Sequence, residues 1–232
     1  MNETFIALKN LSLFNNKKEL ILAIKEFSLK SGEFIHLVGP SGSGKSLFLK
    51  SLIYLYPIQF DSYLFLGLDT SKQNIFELRR KMLYLNQFPE LGDKSVTEVY
   101  QTFESLKINT PLNGTPKWQR ERAEDFISLL GISWKEWLKR PISYLSGGEL
   151  QILQHSLACA ADPLIYLLDE TLSAIDREKR KIILEYYIEK TKVHSKSVIL
   201  IDHHTNENAA ISSRDFLSLT THSRNLVSRQ EN

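Results

Sequence analysis

Four short apolar runs, each followed by a stretch with helical spacing, restrict this chain to few folds. The runs "EFIHLV", "MLYLN", "LIYLLD" and "SVILID" lead into helix-like segments at 44–54, 96–106, 176–193 and 206–211. Strands this evenly apolar need cover on both faces, and helices between successive strands supply it, so a mainly parallel sheet is expected. The first thirty residues differ. "TFIALKNLSLF" and "KELILAIKEFSL", joined by the turn-like "NNKK", predict a small antiparallel β region leading into the core. From Phe88 to about Asp162 strand signals vanish, while "VTEVYQTFESL", "PKWQRERAEDFISLLG" and "GELQILQHSLACAA" have helical spacing and "INTPLNGTP" reads as an exposed linker. These features predict one α/β domain over 1–232, with a core from 1–88 and 161–232 and a helical sub-domain over about 89–160. Trp134 and Trp137 lie three apart and share a helical face, which predicts core packing within that sub-domain. Basic "KWQRER" (117–122) is expected to form a solvated helix face.

Composition narrows the function classes. Lys plus Arg number 29 against 27 Asp plus Glu, and a net charge of +2 gives no basis for a nucleic-acid or membrane-binding surface. Any phosphate must therefore be held locally. A single cysteine, Cys159, allows no internal disulfide, and "MNETFIALKN" lacks the basic-then-apolar layout of a secretory signal. A reducing, cytoplasmic setting is the expectation. No apolar run approaches the roughly 18 residues needed to span a bilayer, so work at a membrane would require another chain to cross it.

Between the first apolar run and its helix lies "GPSGSGKS", residues 39–46, which matches G-x-x-x-x-G-K-[ST] in the strand-then-helix context that the motif requires. Gly39, Pro40, Ser41, Gly42, Ser43, Gly44, Lys45, Ser46 and the following Leu47 are the expected phosphate-binding set. Glycines let successive amides converge on phosphate oxygens, the helix N-terminus adds partial positive charge, Lys45 reaches the β- and γ-phosphates, and Ser46 can ligate Mg²⁺. Such a cradle serves kinases, GTPases and ATPases alike. "LIYLLDE" narrows the choice, because Asp169 and Glu170 end a strand where a parallel sheet opens its ligand crevice. Asp169 is expected to hold Mg²⁺ and Glu170 to polarise the attacking water.

"YLSGGELQ" (144–151) and "SAID" (173–176) complete the pattern. With them the chain resembles the nucleotide-binding subunit of ATP-binding cassette (ABC) transporters over nearly its whole length. The resemblance implies a P-loop NTPase core of ABC type that binds ATP and Mg²⁺. It implies that Ser146, Gly147 and Gly148 act on the ATP held by a second copy, that Gln87 contacts Mg²⁺ and water and senses a transmembrane partner, that Asp176 lies at the dimer seam, and that Phe14 stacks on adenine. It implies a histidine contacting the γ-phosphate. "SVILIDHHTNE" offers Asp202, His203 and His204, and His203 is chosen from its separation from Glu170; three consecutive extended residues alternate in direction and rarely converge on one metal ion. His36, His155, His194 and His222 are expected to be structural or solvent-exposed.

The chain also departs from the family. Gln151-Ile152 and Leu157-Ala158-Cys159-Ala160 lack two customary arginines, and Thr171 stands where proline is common. Altered packing is expected around the signature helix, the one that "LSGG" (145–148) opens, with the phosphate contacts intact. As a whole the resemblance implies an ATPase subunit that pairs with a like chain, binds two ATP at the shared interface and drives an integral membrane permease, with membrane contact through that permease alone and no nucleic-acid partner. It is most similar to compact bacterial subunits without a regulatory domain, some of which serve metal or small-molecule export. The competing class is a soluble ABC-type ATPase of DNA repair or translation. The long coiled-coil insertion of the first and the paired cassettes of the second are missing from the sequence.

Overall fold

The computed structural model describes residues 3–87, 92–106 and 118–202, together with the backbone of two further strands, Phe216–Leu219 and Leu226–Val227. It divides into two compact units. The first comprises Met1–Tyr84, Leu164–Glu170 and Tyr187–Asn232, and the second Leu85–Pro163 and Thr171–Tyr186.

In the first unit, β1 (Thr4–Phe14) and β2 (Leu20–Lys30) run antiparallel around a turn in which the Asn15 side chain accepts the amides of Lys17 and Glu19, both at 2.9 Å. Simple alternation does not hold along these strands. Ile6 and Leu8 face inward, then Lys9 and Asn10 are both exposed, and Leu11 and Leu13 resume inward; β2 changes phase at the facing Lys25 and Glu26. Asn10 takes φ 52° at the step and its side chain donates to Asp61 at 2.6 Å. Phase changes at matched positions keep one apolar face on the core along both strands. β4 (Ser62–Phe65) and β5 (Leu68–Asp69) extend the sheet in the order β2-β1-β4-β5. Their two-residue loop, Leu66-Gly67, has positive φ at both positions.

The second sheet of this unit carries the parallel strands. β3 (Phe34–Val38), β6 (Met82–Leu85), β7 (Ile165–Asp169) and β8 (Ser197–Ile201) join β9 (Phe216–Leu219) and β10 (Leu226–Val227) in the order β10-β9-β3-β8-β7-β6. β3 pairs in parallel with β8 and β9, and β7 with β8. Every residue of β7 and β8 is buried, the mark of strands covered on both faces. α1 (Lys45–Leu52) packs Phe48, Leu49 and Leu52 into a core shared with both sheets, where Phe48 meets Phe27 edge-on at 5.1 Å. α2 (Ile75–Lys81), capped by the Asn74 side chain, leads directly into β6.

The second unit is helical: α3 (Val96–Ser105), α4 (Arg120–Leu129), α5 (Trp134–Leu138), α6 (Gly147–Ala161) and the start of α7 (Arg177–His194). Ser95 and Glu98 form a reciprocal cap on α3. Trp137 is fully buried, Trp134 packs edge-on against Tyr100 at 5.1 Å, and both therefore pack within the unit. The basic stretch departs from expectation. α4 begins at Arg120, Trp118 ahead of it is buried, the Arg120 guanidinium lies 5.7 Å over the Tyr100 ring, and Arg122 pairs with Asp162 at 3.6 Å. Aromatic contact and ion pairing draw the half-buried Arg120 and Arg122 onto the unit, while Gln119 and Glu121 stay exposed and Lys117 lies outside the described residues. Cys159 is buried, as are Ile152 and Ala158. The helix expected over 206–211 and the linker over 108–116 lie outside the described residues. Among those described, no helix is long and apolar enough to cross a membrane.

Candidate functional site

The strand-to-helix loop of the first unit carries the residues expected to cradle phosphate. Gly42 and Gly44 take φ 76° and 95°, and a Cβ on Gly44 would stand 3.4 Å from the Leu22 side chain. Glycine adopts such left-handed backbone without strain. Gly44 caps α1 without a side chain, leaving the helix N-terminus with its partial positive charge turned to the loop. Lys45 is 7% exposed and donates to the carbonyls of Gly39 at 2.8 Å and Pro40 at 3.0 Å, so its ammonium lies inside the curve of the loop. Burial lowers its pKa, while the charges of Glu170 and Asp169 act in the opposite sense.

Asp169 ends β7 and is 5% exposed. Ser46 Oγ donates to its Oδ1 at 2.8 Å, and Tyr84 on β6 donates its hydroxyl to Oδ2 at 2.6 Å. The serine and the aspartate expected to share a metal ion are thus in contact. Tyr84 is a partner that nothing in "MLYLN" announces. Its phenol is pushed well above the ordinary range, first by burial and then by Asp169, so it acts as a donor. Ser46 and Asp169 offer hard oxygen donors, the set that suits Mg²⁺ shared with a phosphate chain. Among the described residues no group of His, Cys, Asp and Glu could hold a metal by itself, so a cation here would draw its remaining oxygens from nucleotide and water. Glu170 follows at φ 54°, its amide donating to Ile201 O at 3.0 Å. Phe14 is half-buried at the end of β1, opposite Leu20, and its carbonyl accepts the Tyr56 hydroxyl at 2.6 Å. The side chains lying against Gly44 belong instead to Ile21 and Leu22. His203 lies outside the described residues, as do His204 and His222.

The second unit carries the remaining motif residues. Ser146 caps α6, its hydroxyl and amide both meeting Glu149 Oε2 at 2.9 Å, in a reciprocal box with the Glu149 amide. Arg140 grips both oxygens of Glu149, and this pairing first, then the Ser146 bonds, hold that carboxyl down at about 2. Gly148 packs so tightly on Ala174 that a Cβ would stand 2.5 Å from its carbonyl oxygen. Gln151 is buried and joins three segments: Nε2 donates to Gln87 O at 3.1 Å and Ser173 Oγ at 3.2 Å, and Oε1 accepts the Ala174 amide at 3.0 Å. Gln87 is half-buried and tied by its backbone to the signature helix. Asp176 caps α7, accepting the Lys179 amide at 3.0 Å and its ammonium at 2.8 Å, which lowers its pKa.

The family described as "ABC transporter" matches residues 22–173. The chain belongs to the ABC transporter family. As an ABC ATPase it hydrolyses ATP to drive transport. It is similar to the metal-staphylopine import system ATP-binding protein of Staphylococcus aureus, at 30% identity over 86% of this chain and 77% of that protein. The methionine import ATP-binding protein of Bartonella henselae is 30% identical over 92% of this chain and 62% of its own length. Among solved structures, an ATP-binding cassette in a dimeric post-hydrolysis state bound to ADP and Pi superposes with TM-score 0.76, at 21% identity, covering 97% of this chain and 98% of that one. An Atm1-family bacterial ABC exporter with ATP bound gives 0.77 at 20% identity, covering 98% of this chain and 39% of the exporter. These two establish the fold.

Within this ABC subunit the departures from the family pattern have local explanations. Ile152 and Cys159, near the customary arginines, are both buried in the packing of α6. Thr171 is fully buried, and its carbonyl meets His155 Nε2 at 3.2 Å. His155 and His36 are buried within the units, the latter meeting Asp202 O at 3.2 Å, and His194 is exposed at the end of α7.

Proposed function

We propose that this ABC ATPase is the nucleotide-binding subunit of an importer, working on the cytoplasmic face of a membrane as a pair of copies bound to an integral membrane permease. The contact of Ser46 with Asp169, beside a loop that encloses Lys45, carries the reading. The sequence by itself leaves the direction of transport open, and import is favoured because relatives similar along most of this chain are named as import proteins. In this reading the loop residues 39–47 hold the triphosphate, Lys45 neutralises the β- and γ-phosphates, and Phe14 borders the adenine. Ser46 and Asp169 would hold Mg²⁺, which when bound would offset charge building on the phosphoryl oxygens, and Gln87 keeps the metal- and water-contacting role that the resemblance implies. Glu170 takes a proton from the attacking water, and His203 contacts the γ-phosphate. Ser146, Gly147, Gly148 and Asp176 meet the nucleotide of the second copy, an arrangement in keeping with the dimeric cassette bound to ADP and Pi. A two-fold axis makes each copy complete the other's site.

The test mixes two inactive variants. Lys45→Ala damages the loop side of a site and Ser146→Arg the signature side, so each homodimer has two damaged sites. A mixed dimer has one site with both defects and one with neither, and part of the ATPase activity should return in membranes that contain the permease. A mixture of wild type with Lys45→Ala shows whether one intact site is enough. If it is, and the two variants fail to rescue each other, the shared site is wrong.

A further inference from the structure

Both oxygens of the Asp169 carboxylate are engaged, and by different elements. Oδ1 accepts from Ser46 on α1 at 2.8 Å, and Oδ2 accepts from Tyr84 on β6 at 2.6 Å. A carboxylate with one donor still turns about its terminal bond, whereas donors on separate oxygens, fixed to a helix and a strand, set its plane. Tyr84 is itself held, since its half-buried ring packs against the core and the Lys50 ammonium lies 5.9 Å over its face. The donor is not a general feature of a strand edge: Leu83 and Leu85, the neighbours of Tyr84 in β6, carry no polar group.

We propose that Tyr84 is a positioning residue for the metal seat, its hydroxyl setting the plane of Asp169 so that Oδ1 stays beside Ser46 where Mg²⁺ arrives with ATP. The inference rests on the reading of Ser46 and Asp169 as that seat. Mg²⁺ demands near-ideal octahedral geometry, so a carboxylate free to rotate must be ordered at each binding event. Partners that orient a ligating carboxylate are worth about tenfold or more in metal affinity. Tyr84 touches neither nucleotide nor water in this scheme. It acts through Asp169, and its effect belongs to the metal-dependent part of nucleotide binding alone.

Tyr84→Phe removes one oxygen and keeps the ring. In the full chain, binding of a fluorescent ATP analogue is titrated first without divalent ions and then at rising Mg²⁺, beside wild type and Asp169→Asn. The expected result is an unchanged affinity without Mg²⁺ and a Mg²⁺ midpoint raised by about tenfold. An unchanged midpoint in Tyr84→Phe overturns the proposal, as does a loss of affinity equal with and without Mg²⁺, which is the signature of a general packing role. Asp169→Asn separates the two levels of the argument. If it keeps the wild-type Mg²⁺ midpoint, the seat itself is misassigned and the proposal falls with it; if it shifts while Tyr84→Phe does not, the positioning role alone is wrong.

Discussion

Adding one methyl group at either glycine of the signature should give opposite results at adjacent positions. A Cβ on Gly147 would lie 3.6 Å from the Ala174 Cβ, an ordinary contact. On Gly148 it would lie 2.5 Å from the Ala174 carbonyl oxygen and 3.2 Å from its carbon, and both are backbone atoms that cannot swing aside. The Ala174 amide is already fixed by Gln151 at 3.0 Å, which removes the easiest route of relief. Overpacking of this kind costs about 1–3 kcal/mol. For a chain of this length each kcal/mol lowers the melting temperature by about 2–4 °C, so Gly148→Ala should melt roughly 2–12 °C below wild type. Gly147→Ala removes backbone freedom from the unfolded chain and should melt within about 2 °C of wild type or slightly above it. Scanning calorimetry without nucleotide reads both values. Equal melting temperatures for the two variants would refute the claim that α6 is docked on Ala174 through Gly148.

Two further outcomes follow from single side chains. Glu170→Gln should keep ATP binding, lose hydrolysis and accumulate as an ATP-bound dimer on size exclusion; hydrolysis at the wild-type rate would remove Glu170 from its role. His155 is fully buried and burial depresses its pKa to about 4, below the ordinary histidine range, so the unfolded chain binds the proton first and acid favours unfolding. Its contribution is intact above about pH 6.5 and decays by about 3 kcal/mol as the pH falls to 4. Urea unfolding at several pH values should therefore show a shallower acid dependence in His155→Leu than in wild type, and parallel curves would contradict the assignment.

Legibility in the sequence followed the range of the interaction. The strand-loop-helix around residues 39–46 could be read because its signal is local, with glycine, lysine and serine at fixed spacing, and the structure places Lys45 on the Gly39 carbonyl. The parallel strands were legible because burial on both faces leaves a continuous apolar run. Tyr84 could not be found this way, since its hydroxyl partner is 85 positions distant and its strand reads as apolar with or without it. The hairpin of β4 and β5 hid for a different reason. Two-residue hairpin turns are recognised by Asn-Gly or Asp-Gly, and here Leu66 takes the first left-handed position at φ 51°. In 117–122 the run of charges suggests a solvated face, whereas Trp118 is buried and Arg120 and Arg122 are drawn onto the unit beside it. Arg140 and Gln151 were invisible as site residues because each acts by gripping another residue, Glu149 in one case and Gln87, Ser173 and Ala174 in the other.

The left-handed backbone at Glu170 has a consequence for how such a chain can change over time. A residue with a β-carbon at φ 54° sits about 1–2 kcal/mol above its relaxed state, a penalty that glycine escapes. The bond from its amide to Ile201 O holds the conformation in place. Replacement of this glutamate by glycine therefore relaxes the main chain at the same stroke that deletes the proposed base. Under the proposed role of Glu170, selection for heat resistance alone would push this position toward a silent enzyme, and demand for turnover would keep a carboxylate where the backbone prefers none.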